Sequence, residues 1–167
     1  MILGIDPQPT VLGFHLRDAK GDTKDWKALF LKKKSSFKGA QAWQEYVYAI
    51  CQDTIENYSV DHKISLVVIE QQRGRVNSII EQSLLISCIA VGLPARTLHP
   101  VKWKKLVGLS LKGSNAKNKK ESCDKIADQL KSHFMRTGEM LPNRIHDLCD
   151  AFYISLAGYH LSQEDMN

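Results

Sequence analysis

The sequence predicts an α/β fold in which a mixed sheet carries helices on both faces. Three extended segments open the chain, at residues 1–6, 11–17 and 26–31, and turn residues separate them. The segment from Ser65 to Glu70 is a continuous apolar run of strand length. Such runs are typical of strands that are covered on both faces, as at the centre of an α/β sheet.

The remaining elements follow from turn residues and from apolar spacing. A hairpin turn is predicted at Asp18–Gly21, a short strand at Ala95–His99 and a short helix at Pro100–Leu106, which begins with proline. Helical spacing marks four longer segments. They contain Trp43 to Ile55, Val76 to Val91, Cys123 to Leu130, and Arg144 to Leu161. No repeat or linker interrupts this order, so residues 1–167 are expected to form a single domain.

Composition and charge exclude several classes of protein. Hydrophobic residues make up 43% and charged residues 25% of the chain, which is typical of a globular domain and not of a disordered one. No apolar run approaches the roughly 20 residues that a membrane span needs. The N-terminus lacks the features of a secretion signal. We therefore expect an intracellular protein, in the cytoplasm or in a virus-infected host cell, that is not secreted. The four cysteines lack CxxC spacing and are expected to be buried, reduced thiols.

Four carboxylates stand where strand ends and a helix face could converge. Asp6 and Glu70 each end an apolar strand, and Asp147 and Asp150 lie three residues apart on one helix face. Each alone has a structural interpretation, such as a turn at Asp6 or a favourable helix-dipole charge at Asp147. Together they offer the oxygen ligands that a pair of divalent cations requires. Two such ions can hydrolyse a phosphodiester, so the set indicates nuclease chemistry.

Positive charge lies close to this acidic set. Residues 102–120 contain seven lysines and no acid, and Arg73 and Arg75 follow Glu70 directly. The charge alone is equally consistent with a solvated loop, but its position suits contacts to a phosphate backbone. Trp103 could stack on a base, although a packing role is the more common one. The candidate DNA-binding residues are Arg73, Arg75, Lys102, Lys104, Lys105, Lys112, Lys117 and Lys119.

The ordered motifs resemble those of the RuvC-like Holliday junction resolvases, which belong to the ribonuclease H-like superfamily. The motifs are Gly4 to Pro7, Val68 to Gln71, Lys120 at a predicted helix start, and Asp147 to Ala151. The segment from Pro100 to Ala127 is similar to the phage and bacterial branch. The resemblance spans nearly the whole chain in the expected order.

The resemblance implies a homodimer that binds four-way DNA junctions and nicks two strands symmetrically with Mg²⁺, for which Mn²⁺ could substitute. It implies that Asp6, Glu70, Asp147 and Asp150 are both catalytic residues and metal ligands. Asp6 would bridge the two ions. Lys120 would be the catalytic basic residue near the scissile phosphate, with Lys102 or Lys104 as a second lysine.

Two departures from the family pattern concern the neighbourhood of the site. Gln8 stands where the family has a glycine, and Arg73-Gly74-Arg75 occupies the region of an aromatic wedge in cellular members. The helix Val76–Val91 corresponds to the family's dimer interface, which would account for its surplus of apolar residues. The alternative is that this helix is buried within its own domain.

Two other functions are compatible with these residues. A ribonuclease H that cuts the RNA of a hybrid would share the fold and the carboxylates. A non-catalytic module that binds branched DNA is the alternative from another class, and Gln8 is its only indication.

Overall fold

A computed structural model describes residues 1–109, 123–139, 141 and 145–164 of the chain. It confirms the α/β prediction with a five-stranded mixed sheet in the order β3-β2-β1-β4-β5. Strand β2 pairs antiparallel with β1 and β3, whereas β4 pairs in parallel with β1 and β5. The strands are β1 (Ile2–Pro7), β2 (Val11–Arg17), β3 (Thr23–Phe30), β4 (Leu66–Glu70) and β5 (Ala95–Leu98).

Five α-helices and one 3₁₀ turn (Lys34–Ser36) lie within the described residues. The helices are α1 (Ala40–Asp61), α2 (Arg75–Ala90), α3 (Pro100–Leu106), α4 (Ala127–Thr137) and α5 (His146–Glu164). None of these helices is long and apolar enough to span a membrane. The four cysteines are free and buried, as predicted.

Most elements differ from the predicted bounds by a few residues, and β3 and α4 differ for identifiable reasons. Strand β3 begins at Thr23 instead of Trp26, because Thr23 and Asp25 pair across the hairpin with Arg17 and Leu16. The first three residues of this strand, Thr23 to Asp25, are polar, so no apolar pattern predicts them as part of it. Helix α4 begins at Ala127, after a turn that includes the predicted Ile126, and it ends before Gly138, whose φ of 71° suits a left-handed helix cap.

Successive side chains of β1 and β4 point to opposite faces of the sheet, and the two faces pack in separate cores. Leu3 and Ile5 of β1 pack in one core with residues of α1 and α2. Ile2 of β1 and Val68 of β4 pack in the other core with residues of α3 and α5. Because side chains alternate along a strand, Asp6 and Glu70 fall on the same face as Ile2 and Val68, which is the face that α5 covers.

Glycines allow α5 to approach this face closely. A Cβ atom on Gly4 would lie 2.4 Å from the backbone nitrogen of Ser155, and one on Gly13 would lie 2.2 Å from the carbonyl oxygen of Asp147. A Cβ atom on Gly158 would lie 2.6 Å from Val68 Cγ2. Real Cβ atoms do not approach backbone atoms this closely, so α5 and the strands β1 and β2 touch only because these positions lack side chains.

We expect Gly13→Ala to lower the free energy of unfolding by about 1–3 kcal/mol or more, because the added methyl group must push the first turn of α5 away from β2. Urea denaturation measures this change. Gly39→Ala is the control, since a Cβ there meets nothing within 4 Å and only its φ of 100° is strained. A Gly13→Ala protein as stable as the parent would show that α5 does not depend on this contact.

Candidate metal centre

The sheet brings the predicted carboxylates to one edge. Strands β1 and β4 are parallel neighbours, so their carboxyl ends, at Asp6 and Glu70, lie side by side. Asp6 is also paired with Gly13 of β2, and the backbone of Asp147 lies against Gly13. Asp150 follows Asp147 by nearly one turn in α5, and electrostatic repulsion from both residues acts on Asp6.

All four carboxyl groups are buried, with exposed fractions between 0 and 7%. The oxygen Asp6 Oδ2 is one of three buried side-chain polar atoms, among the described residues, that lack a hydrogen-bond partner. Burying an ionised carboxylate without compensation is strongly unfavourable. The group is therefore expected to hold a proton or to bind a cation.

Burial and the closeness of the carboxyl groups to one another make Asp6 and Glu70 bind protons more tightly than usual. Burial raises the pKa of Asp6 well above its usual range, and the nearby Glu70, Asp150 and Asp147 raise it further. Burial also raises the pKa of Glu70, although the hydrogen bond from Trp103 opposes that rise. Without a cation, the centre therefore keeps less negative charge than four ordinary carboxylates would carry.

Hydrogen bonds fix the orientation of Glu70. Trp103 Nε1 donates to Glu70 Oε1 at 2.9 Å, and Gln72 Nε2 donates to Glu70 Oε2 at 2.7 Å. Gln72 is held in turn by Asn77, whose Nδ2 donates to Gln72 Oε1 at 2.9 Å, and by Glu81, which accepts from the Gln72 backbone N–H. The turn between β4 and α2 thus holds this carboxylate in place.

Sequence reasoning missed these supporting residues. Trp103 is fully buried and bound to Glu70, so the suggestion that it stacks on a base is wrong and the packing alternative is right. Gln8, which was noted only as a departure from the family pattern, donates from Nε2 to Asp6 Oδ1 at 3.0 Å. Gln8 and Gln72 each stand two positions after an acid near the end of a strand. This shared spacing is the sequence signal that could have indicated their hydrogen bonds to Asp6 and Glu70.

The donor set fits hard divalent cations by chemistry, since it consists of carboxylate oxygens and includes the orphaned Asp6 Oδ2. Within the described ranges, however, no group of three or more histidine, cysteine or acidic side chains is already arranged to hold a metal ion. The carboxyl groups would therefore have to turn toward one another around a bound cation.

Basic residues lie on the two elements that support Glu70, the turn into α2 and helix α3. Arg73 and Arg75 are exposed at the start of α2, and Lys102 and Lys105 are exposed on α3. Lys104, which is also among the predicted DNA-binding residues, is partly buried, and its Nζ lies 5.2 Å from the centre of the Trp103 ring. The predicted Lys112, Lys117, Lys119 and Lys120 lie outside the residues that the structure describes.

In chelator, we expect Asp6→Asn to raise the melting temperature by a few degrees at pH 8. The pKa of Asp6 in the folded state is raised above its ordinary 3.8. The parent is therefore most stable, as far as Asp6 is concerned, below about pH 4, and it loses free energy of unfolding as the pH rises through the folded pKa. The neutral amide keeps the shape and removes this loss. The difference from the parent should vanish near pH 4. Asp61→Asn, at an exposed site, is the control. An Asp6→Asn protein that is less stable than the parent at pH 8 would contradict a raised pKa of Asp6.

Comparison with known proteins identifies the fold. No family model and no curated protein matches the sequence. Among solved structures, Thermus thermophilus RuvC in complex with a Holliday junction substrate superimposes with a TM-score of 0.63 at 16% identity, covering 98% of this chain and 94% of that one. A second T. thermophilus RuvC structure gives 0.63 at 15% identity, with 98% and 95% covered. A yeast mitochondrial Holliday junction resolvase gives 0.58 at 13% identity, with 98% and 79% covered. The resemblance stated from the sequence motifs is thus confirmed at the level of the fold: the chain has the RuvC-like, ribonuclease H-like fold.

Proposed function

We propose that this protein is a divalent-metal-dependent endonuclease that resolves four-way DNA junctions by paired, symmetric nicks. The observation that carries the proposal is the placement of four buried carboxyl groups at one sheet edge, where Asp6 Oδ2 has no hydrogen-bond partner among the described residues. Such a centre suits cations and the phosphates that cations attract. The likeness of the fold to RuvC, including RuvC solved with a Holliday junction, supports the choice of substrate.

Asp6, Glu70, Asp147 and Asp150 would hold Mg²⁺ or Mn²⁺. When bound, such ions activate water and stabilise the leaving oxygen in phosphodiester hydrolysis. The protein's own part is to orient the ligands and to exclude bulk water. Trp103 and Gln72 hold the Glu70 carboxylate, and the close approach of α5 keeps the acidic groups buried.

The exposed basic residues next to the centre would position the DNA. Arg73 Nη2 lies 3.2 Å from His99 Nε2, so this arginine is fixed at the turn that joins Glu70 to α2. Lys102 and Lys105 project from the helix that carries Trp103. Charges in these places would contact phosphates on either side of the scissile bond. Lys120 remains a predicted catalytic residue that would stabilise charge on the phosphate.

A non-catalytic junction-binding module is the second candidate, and one observation favours it. Gln8 donates a hydrogen bond to Asp6 Oδ1, and Trp103 and Gln72 donate one each to the two carboxylate oxygens of Glu70. A site in which these bonds cannot be exchanged for a cation would bind DNA without cutting it.

Cleavage of an end-labelled four-way junction separates the candidates. The junction is compared with a linear duplex and with an RNA/DNA hybrid of matching sequence, each in Mg²⁺, in Mn²⁺ and in chelator. Paired nicks that need metal and occur only in the junction would support the proposal. Cutting of the hybrid alone would indicate a ribonuclease H, and binding without cutting would indicate the non-catalytic module.

We expect Asp6→Asn and Asp150→Asn each to slow junction cleavage by about a thousandfold, because each loses a ligand to ions whose contribution is several kcal/mol. Single-turnover rates at saturating protein measure this effect, and junction binding in chelator should be retained. Asp61→Asn removes an equal charge from an exposed site and should cleave at the parent rate. Parent-like cleavage by both site variants would overturn the proposed centre.

The proposed homodimer would use the exposed face of α2. Ile80, Leu84 and Cys88 of this helix are buried in the protein's own core, whereas Ile86 and Ile89 are 50% and 75% exposed. The helix therefore serves its own domain with one side and leaves apolar surface on the other. An exposed apolar strip of this kind is typical of a subunit interface.

We expect Ile86→Glu combined with Ile89→Glu to raise the dimer dissociation constant by at least about 100-fold, since burial of each isoleucine contributes roughly 1.5–3 kcal/mol. Sedimentation of the parent and the variant across a concentration series measures the constant. Val60→Glu on α1 is the control, because Val60 is 84% exposed on the neighbouring helix. A parent that is monomeric at micromolar concentration would exclude this dimer.

A further inference from the structure

A second basic segment lies at the edge of the sheet that carries the carboxylates. Residues 32–38 follow the carboxyl end of β3, where the Leu31 backbone N–H donates to the carbonyl of Thr10. Thr10 directly precedes β2, whose first residues pair with Pro7 and Asp6 at the end of β1. The segment therefore lies on the β3 side of the acidic centre, whereas α3 with Lys102 and Lys105 follows β5 on the other side.

Aromatic residues of α1 hold this segment in one conformation. The Lys32 backbone N–H donates to the Tyr46 hydroxyl at 3.1 Å, and Trp43 Nε1 donates to the Lys32 carbonyl at 3.3 Å. Lys32 Nζ lies 5.9 Å from the centre of the Tyr46 ring, and Lys34 Nζ lies 6.0 Å from that of Trp43. Phe37 also contacts Tyr46, with ring centres 4.9 Å apart. A solvated loop needs no such anchoring, whereas a binding surface gains from it because less freedom is lost on binding.

No ion pair with a described residue neutralises the charge of the segment. Lys32, Lys33, Lys34 and Lys38 are all exposed, and no salt bridge reaches them from the described residues. Residues 31–44 contain no acid. Four exposed ammonium groups within seven residues, with no acid nearby in the sequence, form a surface that favours a polyanion.

The spacing of the sheet fits one DNA duplex. Neighbouring strands lie about 4.8 Å apart, so β3 and β5 each stand two spacings, roughly 10 Å, from β1. The major groove of B-DNA is about 12 Å wide. The segment packs on α1, which covers the face of the sheet opposite α5, so a duplex with one phosphate at the carboxylates would reach it by lying across the carboxyl ends of the strands.

We propose that Lys32, Lys33, Lys34 and Lys38 form a second phosphate-contact surface that grips the DNA arm on the β3 side of the acidic centre. This inference rests on the proposed function, which supplies the DNA at that centre. It extends the DNA-binding surface beyond Arg73, Arg75 and the lysines of residues 102–120. The substrate arm would then be held from both sides of the nick.

The test replaces two lysines that make no ring contact, as Lys33→Ala combined with Lys38→Ala. The matched control is Lys20→Ala combined with Lys63→Ala, which removes the same charge from exposed positions at the opposite end of the sheet. Fluorescence anisotropy in chelator measures the affinity for a four-way junction and for a linear duplex between 50 and 200 mM salt. Lys33→Arg combined with Lys38→Arg restores the charge.

Loss of two phosphate contacts should lower the slope of log affinity against log salt by about two, so that the affinity lost between these salt concentrations shrinks by about tenfold. The control and the arginine variant should keep the parent slope. Equal slopes for all four proteins, or equal losses in the two alanine variants, would overturn the inference. A parent that binds DNA with this salt dependence but never cleaves it would refute the proposed function while leaving the contact surface supported.

Discussion

The close contact between helix α5 and the glycines of β1 and β2 is the constraint on which the rest of the structure depends. Gly4 lies against the backbone of Ala151 and Ser155, and Gly13 lies against the backbone of Asp147. A helix held off by side chains at these positions would lie farther from the sheet. Only this closer approach brings the carboxyl groups of α5 into electrostatic contact with Asp6, which ends β1.

A buried polar contact sets the rotation of α5 on this surface. His15 Nδ1 lies 2.5 Å from Ser155 Oγ, and the Arg17 guanidinium stands 4.6 Å from the centre of the Phe152 ring. Burial lowers the pKa of His15 well below its usual range, and the charge of Arg17 lowers it further, so the imidazole is neutral and pairs with a hydroxyl without an unfavourable buried charge. Because successive helix residues turn by about 100°, a slip of one residue would break this contact and carry Asp150 away from the centre.

Much of the fold and the acidic centre could be predicted because both depend on local patterns. The apolar run at β4 and the acids that end β1 and β4 are visible as sequence, and parallel neighbours bring such ends together. The support of the centre could not be predicted, because it depends on packing between distant segments. Trp103 stands among lysines in the sequence, yet it is buried against Glu70, 33 residues away. No periodic pattern in the sequence indicates the contact of Gly13 with Asp147 either.

The same packing that gathers the carboxyl groups would make protons compete with the cations proposed for this centre. Burial and mutual repulsion raise the pKa of Asp6, so it binds a proton more tightly than an exposed aspartate does. A divalent cation bound there would have to displace that proton, so its apparent affinity would rise with pH until Asp6 is ionised without it. The hydrogen bonds from Trp103 and Gln72 work in the opposite sense at Glu70, because they favour its charged form. Burial thus biases both acids toward the neutral form, and at Asp6 the repulsion of three neighbouring carboxyl groups adds to it, which makes Asp6 the main group through which pH would govern loading of the site.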